Sequence, residues 1–138
     1  MMTTTTDLRV ADLMTLDPVA IPMDATIEDA EALLRQHRIT GLPVVDQDER
    51  LVGVISQTDL LYLAMPSVQS LIHHRDRGIR VGEVMSSPPV TVDAAATLTD
   101  AARTMDRDHL HRLVVVDGHG RPIGVLAAMD FVALAAEG

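Results

Sequence analysis

Two short stretches of the chain combine residue types that suit the binding of a small anionic ligand. Residues 53–59 read G-V-I-S-Q-T-D, an apolar β-branched run that passes through a polar turn into an apolar helical segment. Ser56 and Asp59 have the spacing of a capping box at the start of a helix, where unpaired backbone N–H groups favour an anion such as phosphate. The Asp59 carboxylate can also accept two hydrogen bonds from a diol such as ribose. The alternative interpretation is that the two side chains only cap the helix.

The same pattern returns at residues 124–130, which read G-V-L-A-A-M-D. The offset between the two stretches is 71 residues (124 − 53 = 71), and the same offset separates Met85 from Met14. Residues 10–61 and 81–132 align at this offset without a gap, and 16 of the 52 aligned positions are identical. We therefore interpret the chain as a tandem duplication of one structural unit.

The composition bounds the fold. The chain has 138 residues, one compact domain's worth of sequence, and each copy is close to the size at which a core needs outside help. The absence of cysteine excludes a disulfide framework and a zinc–thiolate site, so we expect each copy to obtain its missing burial from the other. One Tyr, one Phe and no Trp predict an aliphatic core.

The charge and the termini bound the partners. A net charge of −9 repels a phosphate backbone, and the scarcity of aromatic residues leaves no stacking platform for bases, so we do not expect nucleic acid as a ligand. The N-terminal residues lack the apolar region of a signal peptide, and no apolar run approaches the length of a membrane span. We expect a soluble, cytoplasmic protein with no membrane partner.

Hydrophobic periodicity predicts the same series of elements in each copy, β-α-β-β-α. In the first copy, Thr26 opens an amphipathic helix that extends to about residue 38, and we expect Gly41 to end it in the left-handed conformation. Two buried strands joined by a polar turn follow between residues 42 and 55, and a closing helix is predicted at residues 58–65.

In their order, spacing and duplication, these stretches resemble a CBS (cystathionine-β-synthase-type) domain pair, also called a Bateman module. The first copy carries V-A-D-L-M-T, T-I-E-D-A, H-R-I-T-G-L-P-V-V-D and G-V-I-S-Q-T-D-L-L, and the second carries V-G-E-V-M-S, T-L-T-D-A-A, L-H-R-L-V-V-V-D and G-V-L-A-A-M-D. The resemblance divides the chain into a first repeat at residues 10–66, a linker at 67–80 and a second repeat at 81–138. The sequence is similar to bacterial-type proteins in which the pair stands alone.

The resemblance implies an α/β (α+β) fold in which two β-α-β-β-α repeats pack as a pseudo-twofold pair with two clefts between them. In many relatives these clefts hold adenosyl ligands such as AMP, ADP, ATP or S-adenosylmethionine, which act as regulatory ligands and not as catalytic cofactors. The family's ribose-binding aspartate falls on Asp59 and on Asp130. Its phosphate-contacting Ser or Thr falls on Ser56, whereas the second copy has Ala127 there, and this departure weakens the expectation of phosphate binding at Asp130.

Each cleft is implied to take residues from both copies. For the first cleft, the implied ligand-binding residues are Val54, Ser56, Asp59, Ser86, Ser87, Val90, Leu110, His111 and Arg112. For the second, weaker cleft they are Thr15, Val19, Ile39, Thr40, Val125 and Asp130. Val54 and Val125 are expected to pack on the adenine face.

Positive charge distinguishes the two implied clefts. A phosphate that approaches a protein of net charge −9 needs local positive potential, which His111 and Arg112 would supply at the Asp59 cleft, whereas their equivalents Thr40 and Gly41 are neutral. The alternative is that Arg112 is a solvated residue at a strand start. A second basic cluster is either a further source of charge or an exposed connector. It comprises His73, His74, Arg75, Arg77 and Arg80.

No motif points to catalysis. The sequence has no P-loop, nucleophile elbow or H-E-x-x-H pattern, and Asp46 and Asp48 lie in a predicted turn, where aspartate favours turn geometry. His109 and His111, with the neighbouring aspartates, cross from a helix end into a strand, so we expect no metal site there. We therefore predict no catalytic residue and no enzymatic activity.

The closing helices carry more apolar residues than one buried face accommodates, which is typical of an interface. We expect a homodimer with C2 symmetry. The apolar set comprises Leu60, Leu61, Leu63, Ala64, Met65, Phe131, Val132, Leu134 and Ala135. Two functions follow: a regulatory module that senses an adenosyl ligand and signals to an unidentified protein partner, or, as the alternative, a homodimeric protein-interaction scaffold with empty or vestigial clefts.

Overall fold

The computed structural model describes residues 8–65 and 78–137, a mixed α+β structure with one three-stranded and one four-stranded sheet. The chain forms two compact units. The N-unit comprises Val19–Pro89, and the C-unit comprises Met1–Pro18 together with Val90–Gly138. Within the described residues, no helix has the length and apolar character needed to cross a membrane.

The predicted β-α-β-β-α series is confirmed in both copies. In the first copy it runs from the strand at Ile21–Pro22 to the helix at Gln57–Tyr62, and in the second from the strand at Thr91–Asp93 to the helix at Ala128–Glu137. Along the chain, the elements are α1 (Val10–Leu13), β1 (Thr15–Leu16), β2 (Ile21–Pro22), α2 (Ile27–His37), β3 (Gly41–Val45), β4 (Leu51–Ser56), α3 (Gln57–Tyr62), α4 (Val81–Val84), β5 (Thr91–Asp93), α5 (Leu98–Arg107), β6 (Arg112–Val116), β7 (Pro122–Ala127) and α6 (Ala128–Glu137).

The two sheets share one pattern of strand directions. In the N-unit the strand order is β2-β3-β4, with β2 parallel to β3 and β3 antiparallel to β4. In the C-unit the order is β1-β7-β6-β5, with β5 parallel to β6 and β6 antiparallel to β7. The added strand β1 lies antiparallel to β7 and was not predicted.

Helix α2 begins as predicted and ends differently. The Asp29 N–H donates to Thr26 Oγ1 at 3.1 Å, and the Thr26 N–H donates to the Asp29 carboxylate at 3.2 Å, so the predicted capping box is present. The expected left-handed Gly41 was wrong, because Arg38 adopts that conformation (φ 55°, ψ 45°) and Gly41 begins β3. The turn at Arg38 lets the Ile39 N–H reach the Leu34 carbonyl at 3.0 Å, the long bond of a Schellman motif.

The closing helix of the first copy is shorter than predicted. Helix α3 ends at Tyr62, and the following N–H groups bond to carbonyls three residues back, from Ala64 to Leu61 at 3.0 Å and from Met65 to Tyr62 at 3.2 Å. These are tight turns of the 3₁₀ type, so the prediction of a helix to Met65 was wrong.

Each hydrophobic core includes a residue from the leading helix of the other repeat. Val81 of α4 is fully buried in the N-unit core, and Val10 of α1 is fully buried in the C-unit core. The Val81 N–H donates to the Ala25 carbonyl at 2.8 Å, and the Val10 N–H donates to the Ala96 carbonyl at 2.9 Å. The structural units therefore differ from the sequence repeats by an exchange of their leading segments, residues 10–18 and 81–89, which we call the exchanged segments. The other buried core residues are Ile21, Ala30, Leu34, Leu42, Val44 and Ile55 in the N-unit and Leu98, Ala101, Met105, Leu113, Val115 and Leu126 in the C-unit.

Two glycines mark the points where the exchanged segments lie against a strand. A Cβ added at Gly53 would lie 2.6 Å from the Met85 sulfur, and one added at Gly124 would lie 2.8 Å from the Met14 sulfur. Each would also lie 2.9 Å from the carbonyl oxygen of the residue that follows the methionine. A side chain at either position would therefore push the exchanged segment away from the sheet.

Candidate ligand-binding sites

The half-buried Asp59 carboxylate is held at the junction of β4 and α3. Its Oδ2 atom accepts hydrogen bonds from the Ser56 N–H at 2.8 Å and from the Ser56 hydroxyl at 3.0 Å. In return, the Asp59 N–H donates to Ser56 Oγ at 3.2 Å. The capping box expected from the S-x-x-D spacing is present, and it uses the only O–H donor of Ser56.

The exchanged segment of the second repeat brings a second hydroxyl to Asp59. Backbone hydrogen bonds pair Ser86 with Val54 in both directions, at 3.0 and 2.9 Å. This pairing places the Ser86 hydroxyl 3.4 Å from Oδ1 of Asp59, to which it donates. The structure therefore brings together four residues of the predicted first site within the N-unit: Val54, Ser56, Asp59 and Ser86.

The C-unit repeats this arrangement with fewer hydrogen bonds. Oδ2 of the half-buried Asp130 accepts from the Ala127 N–H at 2.8 Å, and Ala127 has no hydroxyl to add. Thr15 of β1 lies opposite Val125, as Ser86 lies opposite Val54 in the N-unit. Among residues 8–65 and 78–137, no side-chain hydroxyl donates to Asp130. Three residues of the second predicted site, Thr15, Val125 and Asp130, thus lie in one unit. Oδ1 of Asp130 accepts no hydrogen bond from the described residues.

The two units differ in the charge of the strand that lies beside the aspartate turn, β6 in the C-unit and β3 in the N-unit. In the C-unit, Arg112 lies directly opposite Ala127, and the Ala128 N–H donates to the His111 carbonyl at 2.7 Å. In the N-unit, the equivalents are Gly41 opposite Ser56 and a 2.8 Å bond from the Gln57 N–H to the Thr40 carbonyl. The resemblance assigns His111 and Arg112 to the Asp59 cleft, and the structure places both beside the Asp130 turn of their own unit.

The other predicted residues lie among core or surface residues of their own units. Val19 and Ile39 pack against the N-unit core, and Leu110 packs against the C-unit core. Ser87 is exposed, and Val90 is 37% exposed just before β5. For these five residues, a role at a ligand stays a prediction.

Asp117 in the turn between β6 and β7 has a perturbed carboxyl group. Backbone N–H groups of Arg121 and His119 donate to its Oδ1 at 3.0 and 2.8 Å, and these bonds lower the pKa of Asp117 below its ordinary value. Asp46 accepts the equivalent two bonds in the N-unit hairpin. Both aspartates thus shape turns, which agrees with the interpretation of residues 46–48 as turn formers.

One of the two histidines considered as metal ligands, His109, shapes a helix end instead. His109 adopts the left-handed conformation (φ 55°) that ends α5, as its repeat counterpart Arg38 does after α2. No group of three or more His, Asp or Glu side chains in the described part of the chain could hold a metal ion. Of the linker cluster, only Arg80 is described, and its N–H donates to Glu83 at 2.7 Å. The others, His73, His74, Arg75 and Arg77, lie outside the described residues.

A groove of about 620 Å³ lies between α2 and α3 of the N-unit and was not predicted. Its lining mixes apolar and charged side chains, and it does not include Ser56 or Asp59. The signal that could have found it is the apolar surplus of the closing helix. The lining residues are Ile27, Glu28, Glu31, Leu34, Arg35, Arg38, Ile39, Thr40, Gln57, Leu60, Leu61 and Leu63.

The predicted apolar surplus is exposed in part. Leu61 is 67% exposed and Val132 is 56% exposed, as the interface prediction requires. Leu63 of the same set is buried. Tyr62 and Met129 are exposed and were not predicted.

Comparison with known proteins identifies a family. The family model described as the CBS domain matches the chain twice, at residues 10–65 and 81–137. The chain is 35% identical over 120 residues to inosine-5′-monophosphate dehydrogenase of Mycobacterium tuberculosis, a match that covers 86% of this chain and 21% of that enzyme. It is 32% identical over 129 residues to the chloroplastic CBS domain-containing protein CBSX1 of Arabidopsis thaliana, covering 78% of this chain and 54% of CBSX1.

A solved structure gives a similar result over nearly the whole chain. The crystal structure of CBSX2 from Arabidopsis thaliana in complex with AMP matches with a TM-score of 0.81 and 37% sequence identity, covering 94% of this chain and 96% of that one. Because the chain spans about a fifth of the dehydrogenase and about half of CBSX1, similarity to these relatives is similarity to a part of each.

Proposed function

Because this chain belongs to the CBS domain family, with one copy at residues 10–65 and another at 81–137, we propose that it is a regulatory module that binds an adenosyl ligand. The candidate ligands are AMP, ADP, ATP and S-adenosylmethionine. Ligand binding is proposed to change the contact with a protein partner, and the chain itself is proposed to catalyse no reaction.

The observation that carries the proposal is the pair of aspartates at the junction of the last strand and the closing helix. Asp59 and Asp130 are each fixed by a backbone N–H three residues earlier, at 2.8 Å. A fixed carboxylate beside an apolar strand residue offers two acceptors for a ribose diol and a surface for a base, here Val54 or Val125. The 37% identical CBSX2, whose crystal structure contains AMP, supports this interpretation.

Regulation requires that the ligand binds one state better than another. A ligand shifts a conformational equilibrium only by its differential affinity for the two states, so the proposed signal depends on contacts that differ between them. The exchanged segments are suited to this, because Ser86 belongs to the second repeat in sequence and contacts Asp59 of the first. A ligand that displaces Ser86 changes how the second repeat's leading segment is held.

The test is a thermal-shift panel with AMP, ADP, ATP and S-adenosylmethionine, with GMP as the base control. Ligand at about 100 times its dissociation constant adds about 2.7 kcal/mol, which raises the melting temperature of a domain of this size by about 6–10 °C. The doubly substituted Asp59→Asn/Asp130→Asn variant is expected to lose the shift. The proposal fails if no adenosyl ligand shifts the wild-type chain, or if the double variant responds as strongly as wild type.

The exposed apolar residues favour a second candidate function, a homodimeric protein-interaction scaffold. Two neighbouring side chains of α3 are largely exposed, Leu61 at 67% and Tyr62 at 59%, and Leu61 also lines the α2–α3 groove. Contiguous exposed apolar surface of this kind is typical of an interface. We expect ligand-free chain to be dimeric in light scattering at micromolar concentration and Leu61→Glu to shift it toward monomer. A monomeric wild-type chain would remove this candidate.

A further inference from the structure

The two fixed aspartates differ in how much of each carboxylate remains available. Asp59 accepts three hydrogen bonds from the chain, two at Oδ2 from Ser56 and one at Oδ1 from the Ser86 hydroxyl at 3.4 Å. Asp130 has one oxygen bonded to the Ala127 N–H, and its Oδ1 has no donor among the described residues. A carboxylate offers about four lone-pair sites, so a ligand hydroxyl at Asp59 competes with the Ser86 hydroxyl for Oδ1, whereas Oδ1 of Asp130 keeps both of its lone pairs for a ligand.

The hydroxyl of Ser56 is also less available than its sequence pattern indicates. A serine has one O–H donor, and the structure directs this donor to Asp59 Oδ2 at 3.0 Å. To donate to a phosphate, Ser56 would have to give up this bond. The absence of a hydroxyl at Ala127 is therefore a smaller disadvantage for the second copy than it first appears from the sequence.

The distribution of positive charge also favours the second copy, which contains Asp130. Arg112 and Ala127 are directly paired across β6 and β7, so their side chains share a face of the sheet. Thr15 and Val125 are likewise paired across β1 and β7, and residues two apart on β7 lie on that same face. An exposed guanidinium thus lies on the face that carries the second site, where Gly41 is the N-unit equivalent. In a chain of net charge −9, such a cation decides where a phosphate is tolerated.

We infer that Asp130, and not Asp59, is the first acceptor of the vicinal diol of an adenosine phosphate, with Arg112 favouring the phosphate and the Ser86 hydroxyl competing with the ligand for Oδ1 of Asp59. This inference rests on the proposed function and reverses the ranking of the two sites that the sequence suggests. The Asp59 site fills at higher ligand concentration, because a ligand there competes with the Ser86 hydroxyl.

The experiment is a calorimetric titration of the full chain with AMP and with its 2′,3′-dideoxy analogue, which lacks the diol. Asp130→Asn is expected to weaken the tighter AMP-binding step at least tenfold, while the matched Asp59→Asn leaves that step within twofold. The tighter step is also expected to weaken at least tenfold with the dideoxy analogue. Ser86→Ala is expected to strengthen the weaker step severalfold, because it frees an oxygen of Asp59.

Arg112→Gln removes the positive charge of an exposed side chain beside the Asp130 turn. It is expected to weaken the tighter AMP step severalfold, whereas Arg103→Gln, at an exposed helix arginine, removes the same charge and is expected to leave that step unchanged. Loss of the tighter step in Asp59→Asn but not in Asp130→Asn would overturn the ranking and leave the proposed function standing. Equal effects of the two aspartate substitutions, or of the two arginine substitutions, would also overturn it. A wild-type chain that binds neither AMP nor any other adenosyl ligand would refute the proposed function itself.

Discussion

Substitution of Gly53 by alanine tests how closely the exchanged segment lies against β4. The added Cβ would lie 2.6 Å from the Met85 sulfur and 2.9 Å from the Ser86 carbonyl oxygen. The methionine can rotate away, but the carbonyl belongs to the backbone and accepts the Val54 N–H at 3.0 Å. The segment must therefore move, and the Val54–Ser86 pairing weakens with it.

The magnitude follows from two opposed effects. Alanine in place of glycine reduces the entropy of the unfolded chain and stabilises by about 0.4–1 kcal/mol where it fits. Overpacking a filled site costs about 1–3 kcal/mol, and a weakened backbone hydrogen bond adds about 0.5–1.5 kcal/mol. We expect Gly53→Ala to lower the free energy of unfolding by about 2 kcal/mol.

Urea denaturation measures this difference. With a slope of about 2 kcal/mol per molar for a small protein, the midpoint falls by about 1 M. The matched control is Gly118→Ala, where a Cβ meets no atom within 4 Å, and whose midpoint is expected to stay at or slightly above that of wild type. Equal midpoints for the two variants would refute the close packing of the exchanged segment.

Three further predictions concern stability and ionisation. Thr26→Ala removes the hydroxyl that caps α2 and is expected to lower the unfolding free energy by about 1 kcal/mol in urea denaturation; an unchanged midpoint would contradict the cap. Val81→Ala opens a cavity in the N-unit core and is expected to cost about 2 kcal/mol, whereas a cost near zero would show that α4 is not part of that core. The pKa of Asp117, lowered by the N–H groups of Arg121 and His119, is expected to fall below the ordinary aspartate value in an NMR titration. Its contribution to stability is then complete above that ordinary value and is lost as the pH falls through the lowered pKa, and a midpoint at or above the ordinary value would contradict this.

Much of the fold was predictable because local signals agree with it. The capping box at Thr26, the apolar run of β3 and the constant 71-residue offset each identify an element or a copy without reference to tertiary contacts. The error at Gly41 came from assigning the left-handed position to the nearest glycine. In this chain Arg38 adopts that conformation instead, and the counterpart of Gly41 in the second copy is Arg112, so the alignment gives no support for a glycine-specific turn at this position.

Two features could not be predicted from the sequence: the exchange of leading segments and the hydrogen bonds made by the site aspartates. Val10 and Val81 occur at the start of their repeats, and nothing local in the sequence indicates which core each one enters. The resemblance placed Ser86 in the same site as Asp59, but the occupation of both Asp59 oxygens depends on side-chain rotamers. A pattern such as S-x-x-D shows that a hydrogen bond can form and does not show which donors remain free for a ligand.

Because α1 and α4 each pack into the core formed by the other copy, a single copy lacks part of its own core. This has consequences for the origin of the duplication and for dividing the chain. A half-gene encoding one copy alone would produce a polypeptide whose core lacks its valine and whose own leading helix has no place to bind, so it would complete itself only by pairing with another molecule. Duplication followed by fusion turns that pairing between molecules into a contact within one chain. A laboratory split between the copies should therefore restore a folded protein when both halves are produced together, whereas either half produced by itself should fold only by pairing with a second identical molecule.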